Sequence, residues 1–139
     1  MNGTFALQSE GFRLSLDFHV FEADIAYPSN TTLSISVFSA GFSASASMDV
    51  DIKAVSEFCD ELERLYATLK GEAKIYEPYG KQNICFSGDG YGHIFISGEL
   101  HSNGENGFWQ KLEFENSVDQ TYIPDFLKEI TRYVRQFQK

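Results

Sequence analysis

Three histidines and two cysteines are the side chains best suited to proton or nucleophile chemistry: His19, His93, His101, Cys59 and Cys85. An imidazole beside a carboxylate makes a base and its orienter. His19 falls on the same strand face as Asp17, and His93 on the same face as Glu99, because alternate strand residues point one way. Cys85 facing His93 across a hairpin would make a thiol–imidazole pair. Surface histidines and a half-exposed thiol explain the same residues more simply. The histidines lack the short spacing of a metal site, and the cysteines form no Cys-x-x-Cys. In a reducing compartment Cys59 and Cys85 read as free thiols, with Cys59 in the core. The run Gly88-Asp89-Gly90-Tyr91-Gly92 has no helix after it, so it reads as a hairpin and not as a phosphate loop. The expectation is a protein without catalytic residues, metal or cofactor, and so not an enzyme.

The elements that position these residues follow from the hydrophobic period. Phe12, Leu14, Leu16, Phe18 and Val20 alternate with Arg13, Ser15, Asp17 and His19, which predicts a half-buried strand. Thr4–Gln8 reads as a short strand before it, turning at Glu10-Gly11. Residues 22–30 read as a loop. Leu33, Ile35 and Val37 form a third strand. Phe42, Ala44, Ala46 and Met48 form a fourth after a turn at Gly41, with small alanines that would let a helix approach. The period then changes. Ile52, Val55, Phe58, Cys59, Leu62, Leu65, Tyr66 and Leu69 repeat as a helix, capped by Asp49 or Asp51 and ended by Gly71. Ile84 and Phe86, then Ile94, Ile96 and Leu100, and then Phe108, Leu112 and Phe114 mark later strands. A Gly/Asn-rich turn is expected from Asn103 to Gly107. Ile123, Phe126, Leu127, Ile130, Val134 and Phe137 form a last helix, with Pro124 in its first turn. The expected fold is α+β, a hairpin-connected antiparallel sheet of about six to eight strands with two amphipathic helices packed on one face. The order is ββββ-α-βββ(β)-α. One domain spans residues 1–139, a length too short for two ordinary domains.

If the aliphatic positions face the helices, the early strands turn Ser15, Asp17, His19, Ser34, Ser36, Ser43, Ser45 and Ser47 outward. The late strands turn out Tyr91, His93, Phe95, Glu99, Trp109, Glu113 and Glu115. Cross-strand pairing on a solvated sheet accounts for such aromatics. A binding surface accounts for them too, since exposed Tyr and Trp among carboxylates suit a basic partner. The candidate contacts are Asp17, Glu99, Trp109, Glu113 and Glu115, with Tyr91 and Phe95 as aromatic anchors.

Charge supports the second view. Twenty acidic residues against 11 basic ones give a net charge of -9. That excludes a nucleic-acid or anionic-membrane binder, both of which need concentrated Lys and Arg. The deficit lies on the strands, their loops and the first helix, because the last 21 residues carry three acids and four bases. No apolar run approaches the ~18–20 residues of a membrane span. The N-terminus does not resemble a signal peptide, so a cytoplasmic protein is expected.

The C-terminal third carries a resemblance. Leu112-Glu113-Phe114-Glu115-Asn116, then Asp119-Gln120-Thr121-Tyr122-Ile123 and an amphipathic helix, resemble the ending of the WapI-family immunity proteins. The early strand Phe12–Val20, the pair containing Phe42-Ser43-Ala44-Ser45, the helix Val55–Leu69, Glu77-Pro78 and the strand ending Ile96-Ser97-Gly98-Glu99-Leu100 match that layout at the level of pattern. Family members carry a Trp in the loop before the second strand pair, where this chain has Tyr27-Pro28, so no role is carried over to that loop. The resemblance implies a small bacterial protein that binds and neutralises a cognate toxin domain by stoichiometric inhibition. The WapI-type toxins include nucleases acting on tRNA, and a basic nuclease cleft suits an acidic inhibitor. The Asp119–Tyr122 signature reads as a strand-to-helix junction. The alternatives are a small-ligand-binding or enzymatic α+β domain with a pocket holding His93, Cys85 or Glu99, and a homo-oligomer joined through the outer face.

Overall fold

The computed structural model describes residues 2–102 and 106–138. Eight strands and two helices follow in the order ββββ-α-ββββ-α, an α+β fold. The strands divide into two four-stranded antiparallel meanders. β1 (Asn2–Ser9), β2 (Phe12–Val20), β3 (Thr31–Ser39) and β4 (Phe42–Val50) form the first. β5 (Glu72–Tyr76), β6 (Asn83–Gly88), β7 (His93–Ser102) and β8 (Gln110–Asp119) form the second. Alternation predicts which strands exist, but it carries no information on where one sheet stops and another starts. The helix between β4 and β5 makes that break. The Gly/Asn-rich turn expected at 103–107 lies partly outside the described residues.

Helix α1 (Ile52–Thr68) starts where Asp51 accepts the Lys53 amide at 2.9 Å. Buried Asn30 fixes the same end: its Oδ1 accepts the Ile52 amide, and its Nδ2 donates to the carbonyls of Ile25 and Tyr27. One side chain thus ties the β2–β3 loop to the helix start. The helix ends one turn before the expected glycine. Leu69 itself takes the left-handed conformation (φ 60°), its amide donating to the Leu65 carbonyl at 2.7 Å, and Gly71 follows at φ 96°. Gly88 of β6 packs so close to this end that a Cβ would lie 2.3 Å from the Leu69 carbonyl oxygen.

α1 packs on β5 and on helix α2 (Ile123–Arg135), and α2 reaches back to β1. Phe86 of β6 meets Phe58 of α1 and Phe126 of α2, while Tyr133 of α2 meets Phe5 and Phe18 of the first sheet. α2 therefore joins both sheets to one core. The sheets also touch directly, β4 near β7 and β3 near β8. It is β7, and not a helix, that comes close to the small Ala44 and Ala46 face. Two aromatic rings expected with the apolar faces are exposed, Phe42 and Phe108. Phe42 stands at the turn end of an edge strand, and Phe108 precedes the start of β8. Among the described residues neither position has a neighbouring layer to cover it. Among the described residues, no helix is long and apolar enough to cross a membrane.

Candidate partner-binding surface

The second sheet carries most of the candidate contact residues on its outward side. Phe95 and Glu99 alternate outward on β7, and Glu113 and Glu115 do so on β8. Glu99 lies directly opposite Glu113, an unfavourable pair of like charges. Cations beside them offset it. His101 Nε2 lies 2.7 Å from Glu99 Oε2, and Lys111 Nζ lies 3.6 Å from Glu99 Oε1 and 3.0 Å from Glu113 Oε1. The hydrogen bond from His101, followed by the charge of Lys111, holds the Glu99 carboxyl below its ordinary range, so it is ionised at neutral pH. The Glu99 side chain is only 20% exposed and already engaged, whereas that of Glu113 is 65% exposed. Glu99 thus supports the surface, and Glu113 is presented by it.

Trp109 precedes β8 and rests on the His101 ring at a centroid distance of 4.6 Å, with 58% of the residue still exposed. Tyr91, at the tip of the β6–β7 hairpin, is 88% exposed. The Asp89 side chain shapes that tip, accepting the amides of Tyr91 (2.7 Å) and His93 (3.3 Å) and meeting His93 Nδ1 at 3.0 Å. The Tyr91 amide in particular holds the Asp89 carboxyl below its usual range. The Gly88–Gly92 run is therefore a side-chain-braced hairpin. Asp17 stands apart on β2 of the first sheet, where it accepts from Thr4 Oγ1 at 3.1 Å. No contact among the described residues joins it to the others.

The imagined catalytic pairs do not assemble. His93 goes to Asp89 and Glu99 to His101, the neighbour two residues along its own strand. His19 meets Asn2. The Cys85 thiol donates to Glu72 Oε2 at 3.3 Å and lies across from Ser97, away from His93. Burial first, then Glu72, pushes the Cys85 thiol up to about 11, and burial does the same to Cys59. A thiolate is the reactive form. Alkylation of Cys85 by iodoacetamide should therefore keep accelerating above pH 9, with its midpoint near 11. A rate that levels off between pH 8 and 9 would mean that the thiol is neither buried nor held beside Glu72 in solution. No group of three or more potential metal ligands occurs among the described residues.

The sequence reading missed the cleft between the sheets. Its volume is about 930 Å³, and it is lined by Ser34, Ser36, Ser45 and Ser47 on one side and by Glu77, Gln82, His101 and Trp109 on the other. Gln82 braces it. Its Nε2 donates to the Ser47 carbonyl (3.0 Å) and to Glu77 (3.2 Å), and its Oε1 accepts the His101 amide (3.0 Å). Gln82 sits just before a strand, where no periodicity marks it.

The junction after β8 behaves as the sequence suggests. Asp119 accepts both the amide and the hydroxyl of Thr121, the hydroxyl at 2.8 Å, and the Gln120 amide donates to the Gly92 carbonyl at 2.8 Å. The Thr121 bonds hold the Asp119 carboxyl below its ordinary range. The chain matches the immunity protein WapI-like family over residues 5–138. It belongs to that family, which gives it an immunity-protein role and implies a cognate toxin as its partner. A comparison with curated proteins returns no match.

Proposed function

We propose that this protein neutralises its toxin by stoichiometric binding, without catalytic turnover, through the outward face of the second sheet. One observation carries the reading: Phe95, on the sheet of Glu113 and Glu115, and Tyr91 and Trp109, in the segments that flank its strands, are all exposed. Large aromatics supply contact area at low entropic cost, and carboxylates around them select a basic partner. A toxin with a basic catalytic cleft, such as a nuclease, fits that surface, and the net charge of -9 steers the encounter. Such neutralisation takes place in the cytoplasm of the producing cell. His101 and Lys111 keep Glu99 and Glu113 together without cancelling the acidic character, since Glu115 has no cation against it among the described contacts.

Reversing both exposed charges, Glu113→Lys with Glu115→Lys, should weaken toxin binding about 10–100-fold and flatten its salt dependence, because rim charges act mainly on association. The thermal midpoint should move little, as both side chains are exposed. Calorimetric titration at low and at high salt reads both effects. Unchanged affinity in the double variant would assign the contact to another surface.

A further inference from the structure

We propose that the free edge of β8, at Lys111–Glu115, receives an extended segment of the toxin as a fifth strand of the second sheet, with lysine or arginine opposite Glu113 and Glu115 and apolar residues between them. The proposal rests on the immunity reading and goes beyond it by naming the docking element.

Hydrogen-bond parity shows which main-chain groups are available. The Gln120 amide donates to the Gly92 carbonyl at 2.8 Å, which continues the β7–β8 ladder by one pair. Pairs of an antiparallel ladder alternate from there. Val118, Asn116, Phe114 and Leu112 therefore direct their main-chain groups at β7, while Ser117, Glu115, Glu113 and Lys111 direct theirs away. Ser117 obeys this parity. Its amide turns to Asn116 Oδ1 at 2.8 Å, and that bond closes the C-terminal end of the edge. β8 pairs with β7 alone, and among the described residues no main-chain bond reaches Lys111, Glu113 or Glu115 from the outer side. The first sheet meets β8 on its inner face, with Phe12 against the Phe114 ring and Ser39 bonded to the Asn116 side chain. Both of those β8 residues aim their main chain at β7, so these contacts leave the edge open. The register with β7 runs without a bulge from Gln110 to Asp119, and β8 contains no proline.

The side chains along the edge define the segment. An added strand forms hydrogen-bonded pairs with the outward-directed residues, and directly paired side chains share a face. Its residues opposite Glu113 and Glu115 thus lie on the outer face, within reach of both carboxylates. The Glu113 side chain is 65% exposed with one lysine beside it, and Glu115 has no cation against it among the described contacts. Two carboxylates at that spacing select Lys or Arg at alternate positions of the segment. The residues between them turn inward, beside buried Phe114 and partly buried Leu112, and are apolar. Charged side chains on an edge strand discourage unselected pairing. Acids do this without closing the edge to a strand of opposite charge. A second copy of this chain is a poor fit, since its β8 brings the same three acids, Glu113, Glu115 and Asp119, with one lysine, Lys111.

Amide exchange followed by NMR tests this, using the C-terminal domain encoded in the adjacent open reading frame as the probe. In the free protein the Glu113 and Glu115 amides should exchange at least tenfold faster than those of Leu112 and Phe114. Equal protection in the free monomer overturns the proposal. On binding, the two glutamate amides should slow at least tenfold. If the domain binds and they stay fast, the strand-addition proposal falls and the immunity reading stands; if the domain does not bind, both fall. Protection that grows with protein concentration alone would assign the edge to self-association and overturn the proposal. Two variants separate the main chain from the charge. Glu115→Gln keeps the outward amide, and Glu115→Pro removes it, which an edge strand tolerates. The proline variant should bind at least tenfold more weakly than the glutamine variant, and equal affinity of the two overturns the proposal. If the proline variant misfolds, the exchange data decide by themselves.

Discussion

Replacing Phe86 with alanine should lower the unfolding free energy by about 3–5 kcal/mol. Phe86 is fully buried on β6, with the Phe58 ring edge-on at 5.5 Å and the Phe126 ring stacked at 6.0 Å. Those neighbours come from α1 and α2, so the side chain is where both helices meet the second sheet. Removing it leaves a cavity lined by rings on two separately anchored helices, which cannot close around the space. Domains of this size have about 5–15 kcal/mol in total, so the variant should be close to unfolding at body temperature. Denaturant titration measures the loss. Phe86→Leu fills part of the volume and should cost less. A loss under about 1 kcal/mol for the alanine variant would mean that the helices do not pack as described.

Gln82→Met should cost about 2–4 kcal/mol although it nearly conserves volume. Methionine fills the space but cannot donate to the Ser47 carbonyl or accept the His101 amide. Both main-chain groups then lie at a part-buried seam, and leaving them unpaired is the expensive part. The two sheets should also separate at the cleft. Exchange at His101 should accelerate before exchange in β2, which lies in the middle of the first sheet. If Gln82→Met unfolds at the same denaturant concentration as the parent, water replaces the brace and the seam is weaker than its geometry implies. Glu77→Ala is the contrast, since Glu77 accepts only one of the three bonds.

Several elements could be read directly from residue order. The β2 alternation, the Asp51 cap, the β6–β7 hairpin and Pro124 in the first turn of α2 all depend on neighbours within a few positions. Burial follows the same logic on most strands, with Leu14, Leu16, Ile35, Ile84 and Ile96 inside. The failures occurred where a residue's surroundings come from distant chain. Phe42 and Phe108 look apolar in register, yet both are exposed. The alanine face of β4 was matched to a helix, yet β7 occupies it. Asp17 lies on the first sheet, apart from the other candidate contacts, a placement that alternation alone does not reveal.

The charge relations divide the same way. The excess of acid over base, the many aromatics and the WapI-like ending are properties of the sequence, and the ending points to the family that the chain matches. The sequence also contains the i, i+2 relation of Glu99 and His101, since side chains two apart on a strand share a face. Which carboxylate is held and which is presented needed the β7–β8 register, because that register puts Lys111 beside His101 and Glu113 beside Glu99. The cleft and the Gln82 brace appear only once the two sheets are packed. Hydrophobic period specifies the faces of each element, because it is a local property of the backbone. The relation between sheets is set by α2 and by the packing of Phe58, Phe86, Phe126 and Tyr133, whose contacts join residues far apart in the chain.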